Sequence, residues 1–243
     1  MGNEGTYGRR TDIAMHHYVK AMDPDRLKIN QDSQFPWINP AESSDVASGP
    51  INVWPRGTWK PDRPFWTHEY LNLCVKLDSR LEPRFNGGWA PPVRRAERLA
   101  WLNRFGLDQA WGDRLQDAQH ALQRVYQKRG VEWGRSDPEC DGLIFWTIAD
   151  VVVRQHETYT AQGLFNPFWE QKSGGYSAQE FAQFNSARCV LADFDPSSRI
   201  LTAGETLKAD VLFANYGDAP LEDARGKWML SAEGETLGEG VLS

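Results

Sequence analysis

Cysteine is scarce and scattered in this chain. The three present, Cys74, Cys140 and Cys189, are odd in number, far apart and outside any Cys-x-x-Cys pattern. That disfavours both a disulfide framework and a thiolate zinc site. Long apolar runs are missing too. None approaches the ~18 residues of a membrane span, and positions 1 to 30 lack the charged, apolar and small-residue regions of an export signal. Positive charge is not in excess: 27 Lys and Arg stand against 33 Asp and Glu, a net charge of −6, which disfavours a broad nucleic-acid footprint. There is no Walker sequence, dinucleotide fingerprint, His-Glu-x-x-His spacing or Gly-x-Ser-x-Gly elbow.

What is present is a globular composition with one excess. Apolar residues make up 40% and charged residues 25% of 243, enough for the core of one large or two small domains. The excess is aromatic: 11 Trp, with 7 Tyr and 11 Phe. Core and domain packing accounts for most of them. Trp is also a flat apolar platform with a polar edge, suited to the C–H faces of sugars.

The chain opens MGNEGTYG. Gly-Asn-Glu-Gly is the kind of polar turn that closes a buried strand, yet no apolar strand precedes it. Either the first eight residues are a plain loop, or the sequence begins inside a larger domain. Thr11 then reads as a helix cap, with Met15, Tyr18, Val19 and Met22 on one face and Asp23-Pro24 ending the pattern. Strands are expected at 27–30, 51–54 and 65–70, with a long loop over 33–50. A strongly helical stretch follows over 92–129. There Leu115, Ala118, Leu122 and Val125 share a face and Gly130 marks the stop. A fourth strand is expected at 142–150. Near-continuous apolar strands separated by helices point to a covered parallel sheet. Polar and aromatic residues closing those strands suggest a β/α barrel. Near residue 187 the texture turns to short alternating stretches such as TLKADVLF, which read as the start of a β-sandwich. Residues 188–243 are about half of the roughly 100 that a complete immunoglobulin-like sandwich takes.

Two stretches carry the chemistry: Asn3-Glu4, and His68-Glu69-Tyr70 at the close of the 65–70 strand. Paired carboxylates at the mouths of barrel strands suit glycoside hydrolysis, one protonated to release the leaving oxygen and one ionised to attack the anomeric carbon. In this order they resemble glycoside hydrolase family 2, the β-galactosidase, β-glucuronidase and β-mannosidase group. Gly2-Asn3-Glu4 resembles the family's acid/base motif after barrel strand 4, and Glu69-Tyr70 its nucleophile after strand 7. Trp146 in GLIFWTIAD matches the sugar-lining Trp of strand 8. GLFNPFWEQKSGGYSAQEF is similar to the closing segment of the barrel, with Gly163-Leu164, Trp169 and Lys172 in matching places. The stretch 51–60 fits poorly: the family places Tyr or His after strand 6, where this chain has Trp54 and Arg56.

The resemblance implies an α/β fold. Residues 1–187 would be the second half of a (β/α)8 TIM barrel, and 188–243 an incomplete immunoglobulin-like β-sandwich. It implies that strands 1 to 4 lie upstream, the missing N-terminal half of the barrel. The implied function is retaining, exo-acting β-glycosidase chemistry on the end of an oligo- or polysaccharide. Glu4 would be acid/base and Glu69 nucleophile, with Asn3 on the 2-hydroxyl and His68, Tyr70, Trp146, Asp32 and Trp54 around the substrate. No metal or organic cofactor is called for, and neither a nucleic acid nor a membrane is expected as a partner. The isolated chain is expected to be inactive.

Plainer readings stand beside these. His68 reads equally as packed beside a strand end, Asp32 as a cap, and only one or two of Trp54, Trp59, Trp66 and Trp89 belong in a subsite. Asp150 and Arg154 suggest an ion pair, and His16 and His17 a helix surface. A non-catalytic carbohydrate-binding protein, or an interaction module built on the β-rich tail, are the alternatives from other classes.

Overall fold

The computed structural model describes residues 2–3, 9–29, 31–32, 45–49, 62–85, 95–151, 153–155, 158–193 and 201–242. Short parallel strands come first. β1 (Gly2–Asn3) pairs in parallel with β2 (Gln31–Asp32), and helix α1 (Arg9–Met22) lies between them in the chain. β3 (Ala47–Gly49) pairs in parallel with β4 (Phe65–Thr67). The β4 stretch also meets residues 142–145 in parallel, Trp66 opposite Gly142 and Tyr70 opposite Phe145. Parallel neighbours need long crossovers. The last one carries α2 (Arg95–Asn103) and α3 (Gln109–Ser136).

The strands are displaced from their expected places. Residues 27–29 form none, and the pairing falls on 31–32 instead. β3 lies inside the stretch expected to be loop, and 51–54 is outside the described residues. The 142–150 stretch is a series of bridges at Gly142, Phe145 and Ala149 rather than a continuous ladder. Glu69 and Leu71 have φ of 43° and 66°, and such left-handed residues cannot continue a pleat. Between the bridges the Ile144 N–H donates to Thr67 Oγ1 (2.8 Å) in place of a backbone carbonyl.

The helices present a different face from the one their apolar residues suggest. In α3, Leu122 and Val125 are 62% and 56% exposed, while Gln116, His120, Gln123 and Gln127 are buried. The reason lies in what α3 packs against. Carbonyls of the neighbouring segments point at α3, and buried carbonyls need donors. Gln116 Nε2 donates to Lys76 O (2.7 Å), Gln123 Nε2 to Leu73 O (2.9 Å) and Ala161 O (3.3 Å), and His120 Nδ1 lies 2.9 Å from Ser173 O. Gly130 does not stop the helix. A Cβ there would lie 2.1 Å from a Leu71 methyl, and one at Gly134 2.7 Å from a Leu143 methyl, so both glycines allow close approach to the strand ends. α1 behaves similarly. It starts two residues before Thr11, exposes Tyr18 and Met22, and buries Asp12. His16, expected at the surface, turns inward with Nε2 3.7 Å from Asp45 Oδ1.

The main core joins Phe65, Tyr70, Leu71, Val131, Cys140 and Phe184, with Phe145, Tyr176 and Phe181 packed around it. α4 (Ala178–Asn185) supplies Phe181 and Phe184, and starts at a capping box between Ser177 and Glu180. β5 (Val75–Lys76), β6 (Val153–Gln155) and β7 (Thr158–Ala161) form a small antiparallel sheet in the order β5-β7-β6. It joins the chain just after β4 to the chain just after the 142–149 stretch.

β8 (Arg188–Asp193) pairs antiparallel with β9 (Asp210–Asn215), and β10 (Gly226–Ala232) with β11 (Glu235–Leu242). Among the described residues these are two separate two-stranded sheets. The alternation expected from Leu207 to Phe213 takes strand form only from Asp210, with Val211, Leu212 and Phe213 all exposed. No described helix is long and apolar enough to cross a membrane.

Candidate functional site

The site grows from the end of β4. Phe65 packs into the core, and the Thr67 N–H donates to Gly142 O (2.9 Å). The ladder resumes at Tyr70, whose N–H donates to Ile144 O (2.8 Å) and whose carbonyl accepts from Trp146 N (2.9 Å). Between these anchors the chain kinks at Glu69. A non-glycine residue at positive φ costs about 1–3 kcal/mol and persists only where its surroundings hold it. Here the Tyr70 hydroxyl donates to Gly130 O of α3 (2.8 Å), and Leu71 fills the space that Gly130 leaves open. Those two side chains turn toward the helices. The Glu69 carboxylate remains half-buried, its Oε1 3.9 Å from Nε2 of the buried His68.

The Trp146 N–H donates to the Tyr70 carbonyl, which places Trp146 one residue past the bridge between Tyr70 and Phe145. Phe145 turns onto Phe181 of α4 (ring centroids 6.3 Å). The Trp146–Thr147 peptide is cis. The indole Nε1–H donates to Gln162 Oε1 (2.6 Å), and Gln162 Nε2 lies 2.5 Å from Asn72 Oδ1 and 2.8 Å from Cys74 Sγ. Trp66 packs against Gly142, where a Cβ would come within 2.8 Å of its ring.

Beneath this surface lies a buried ion pair. Lys172 Nζ is 2.7 Å from Asp150 Oδ1, with side chains 3% and 2% exposed, and it donates to Gln123 Oε1 (3.0 Å). Asp150 Oδ1 also accepts from Gly163 N (2.7 Å). Burial raises the Asp150 pKa and lowers that of Lys172, while the Lys172 ammonium and the backbone N–H groups of Gly163 and Gln162 offset part of that desolvation at Asp150. Lys172 is delivered by the chain after the Asn166–Glu170 turn, while the side chain of Arg154, the partner expected for Asp150, lies outside the described residues. The turn is held by Asn166 Oδ1, which accepts from Phe168 N and Glu170 N (2.8 and 3.0 Å). Arg84 braces it with bonds to both Glu170 oxygens (2.5 and 3.0 Å).

The structure therefore brings His68, Glu69 and Trp146 together at the ends of adjacent parallel segments. Tyr70, expected at the sugar, is placed in the core beneath α3 instead. Asn3 and Asp32 are backbone partners in the register of β1 and β2. Glu4, Trp54, Arg56, Trp59 and Trp89 lie outside the described residues. Asn72, Cys74 and Gln162 went unread because no spacing ties residue 162 to residues 72 and 74; only folding of the β5-β7-β6 sheet does. Among the described residues, no three His, Cys, Asp or Glu side chains gather as a metal site. No family model and no curated protein matches the chain.

Chemically, the arrangement offers a partly shielded carboxylate beside an imidazole, with an indole face on the next strand. A carboxylate so placed can act as nucleophile or general base, and the indole can stack on a ring.

Proposed function

We propose that this chain is the second half of a retaining β-glycosidase barrel, followed by part of a sandwich domain. The observation that carries the reading is the junction of Glu69 and Trp146. A carboxylate leaves a parallel strand at a kinked residue, and the adjacent parallel segment carries Trp146 one residue past its bridge to the neighbouring Tyr70. Support also comes from the parallel pairing of β1 with β2 and of β3 with β4, and from the Gly2-Asn3-Glu4 resemblance. In this reading the protein cleaves terminal β-linked sugars by double displacement. Glu69 attacks the anomeric carbon while Glu4 protonates the departing oxygen; Glu4 then deprotonates the water that releases the sugar. Asn3 donates to the 2-hydroxyl, and Trp146 forms one wall of the sugar subsite. Closing a barrel takes eight strands, so turnover requires the strands that complete it, and residues 1–243 alone do not turn over.

Azide chemistry on the completed barrel tests the two assignments. With an activated aryl β-glycoside, Glu69→Ala leaves a space from which azide attacks, giving the α-glycosyl azide. Glu4→Ala lets the glycosyl-enzyme form, and azide then gives the β-glycosyl azide. Glu69→Gln still fills the nucleophile's space and gains nothing from azide. Near-normal rates in Glu69→Gln on every substrate cleaved by the wild type would remove Glu69 as nucleophile.

A further inference from the structure

We infer that Gln162 is a positioning residue that fixes Trp146 and closes its indole N–H to the ligand, so that this wall recognises a pyranose by its C–H face alone. The inference rests on the glycosidase reading above. Its geometry is that of a saturated carboxamide. Oε1 takes the indole Nε1–H at 2.6 Å, while Nε2 is held at 2.5 Å by Asn72 Oδ1 and at 2.8 Å by Cys74 Sγ. Turning the amide over would set its NH2 against the indole N–H and its oxygen against the Asn72 oxygen. Only one orientation satisfies all three neighbours. The anchor is itself held: Gln162 follows Ala161 of β7, which pairs with Val75 of β5, next to Cys74. The carboxamide thus ties the chain after β4 to the chain after the 142–149 stretch, three residues beyond Glu69.

Two consequences follow for recognition. An indole whose N–H is already paired has no donor left for a sugar hydroxyl, and a buried donor would otherwise demand one from each ligand. A ring whose edge is pinned also stacks without first losing rotational freedom, so the ligand meets a preorganised face. The wall therefore selects sugars by the apolar face they present and is indifferent to a hydroxyl near the indole edge.

The test uses the completed barrel, as in the azide experiment, with tryptophan labelled at the indole nitrogen and ring carbons, the Trp146 signals being identified by Trp146→Phe. Methyl β-glycosides of galactose, glucose, mannose and glucuronic acid are titrated in turn. For at least one sugar, the expected result is that Trp146 ring C–H signals shift while its indole N–H stays in place and slow to exchange. Gln162→Leu should speed that exchange and weaken the affinity roughly tenfold, the upper range for one hydrogen bond. Gln162→Glu, which keeps an acceptor for the indole but sets its second oxygen against the Asn72 oxygen, should restore only part of it. In the Trp146→Phe background Gln162→Leu should cost nothing further, a non-additivity that general loosening of the fold does not produce. An affinity unchanged by Gln162→Leu, or an indole N–H displaced by the sugar, overturns the inference and leaves the glycosidase reading standing. If no sugar moves any Trp146 signal, the reading of this wall as a sugar subsite falls, and the inference with it.

Discussion

Gly163 shows how little room single residues have around the site. A Cβ there would lie 2.3 Å from the Asp150 backbone nitrogen and 2.4 Å from the Ala149 carbonyl carbon. Backbone atoms cannot step aside as a side-chain end can, so Gly163→Ala should lower stability by about 3 kcal/mol, read as a shift in the urea midpoint. Gly130→Ala meets only a Leu71 methyl and gains about 1 kcal/mol in helix propensity. Its net loss should be the smaller of the two, and the reverse order would contradict the packing. His120 is the residue whose titration should show. Its Nε2 faces the Gln116 NH2 at 3.0 Å, and that amide is oriented by Arg98 and Lys76 O, so the ring is neutral with Nδ1 donating to Ser173 O. Burial, then Lys172, holds its pKa below 6.5, against the weaker pull of the Ser173 carbonyl and Asp78; Arg80 acts in the same sense as Lys172. As pH falls below about 6.5 the unfolded chain takes up this proton first. Stability should therefore be complete above that pH and decline below it. In His120→Gln the slope between pH 6.5 and 5 should be reduced, with the remainder assigned to His16, whose pKa burial also lowers. At this scale the sequence was only half legible. Glu69 could be named because it closes an apolar run, and Trp146 through the resemblance of GLIFWTIAD to a barrel strand that ends at a sugar-lining Trp. Lys172 as partner of Asp150, and Gln162 as partner of Trp146, join positions that only tertiary folding brings together.

Among the elements, the helices carry the sharpest lesson. The apolar stripe Leu115, Ala118, Leu122 and Val125 marked a helix correctly, but Leu122 and Val125 point to solvent. Periodicity reports which residues share a face; it cannot report that carbonyls of the facing segments point at the helix. Gln116, His120 and Gln123 answer that demand, so polarity is inside. α4 offers a clean test of local chemistry. Ser177 Oγ accepts from Glu180 N (3.2 Å), and the Glu180 carboxylate accepts from Ser177 N (2.9 Å) and from Arg124 (2.7 Å). The Ser177 backbone donor, its hydroxyl and Arg124 hold the Glu180 pKa at about 2, below its ordinary 4.5. The sign is that of a depressed acid: its contribution is present above pH 4.5 and is lost as pH falls toward 2. Ser177→Ala should cost about 1 kcal/mol at neutral pH, and the cost should shrink over that acid window. A Ser177→Ala penalty that does not vary with pH would separate the cap from the carboxylate.

At the scale of the molecule, the described surface is unusually rich in uncovered apolar groups. Val211, Phe213, Trp228, Met229, Leu230, Leu237 and Val241 on the tail strands, with Leu122 and Val125 on α3, are all exposed. Sheets this small do not cover their own faces. The chain should bind a hydrophobic dye and shift to larger species in light scattering as concentration rises; a monomer with one sharp, dye-silent unfolding transition would contradict the half-barrel reading. The parallel strands were legible as a class because apolar runs alternated with helical stretches, yet their registers were not. β2 and β3 are only two and three residues long, too short for alternation to fix their place. The central claim, that Glu69 is the nucleophile of a retaining glycosidase, is tested most directly by trapping. A 2-deoxy-2-fluoro-β-glycoside with a good leaving group slows both steps of double displacement, and the second most, so the glycosyl-enzyme accumulates. Applied to the completed barrel and followed by digestion and mass spectrometry, it should leave one fluorosugar, esterified to Glu69 in the peptide spanning Phe65 to Leu71. A label on any other carboxylate, with Glu69 unmodified in inactivated enzyme, would contradict the account.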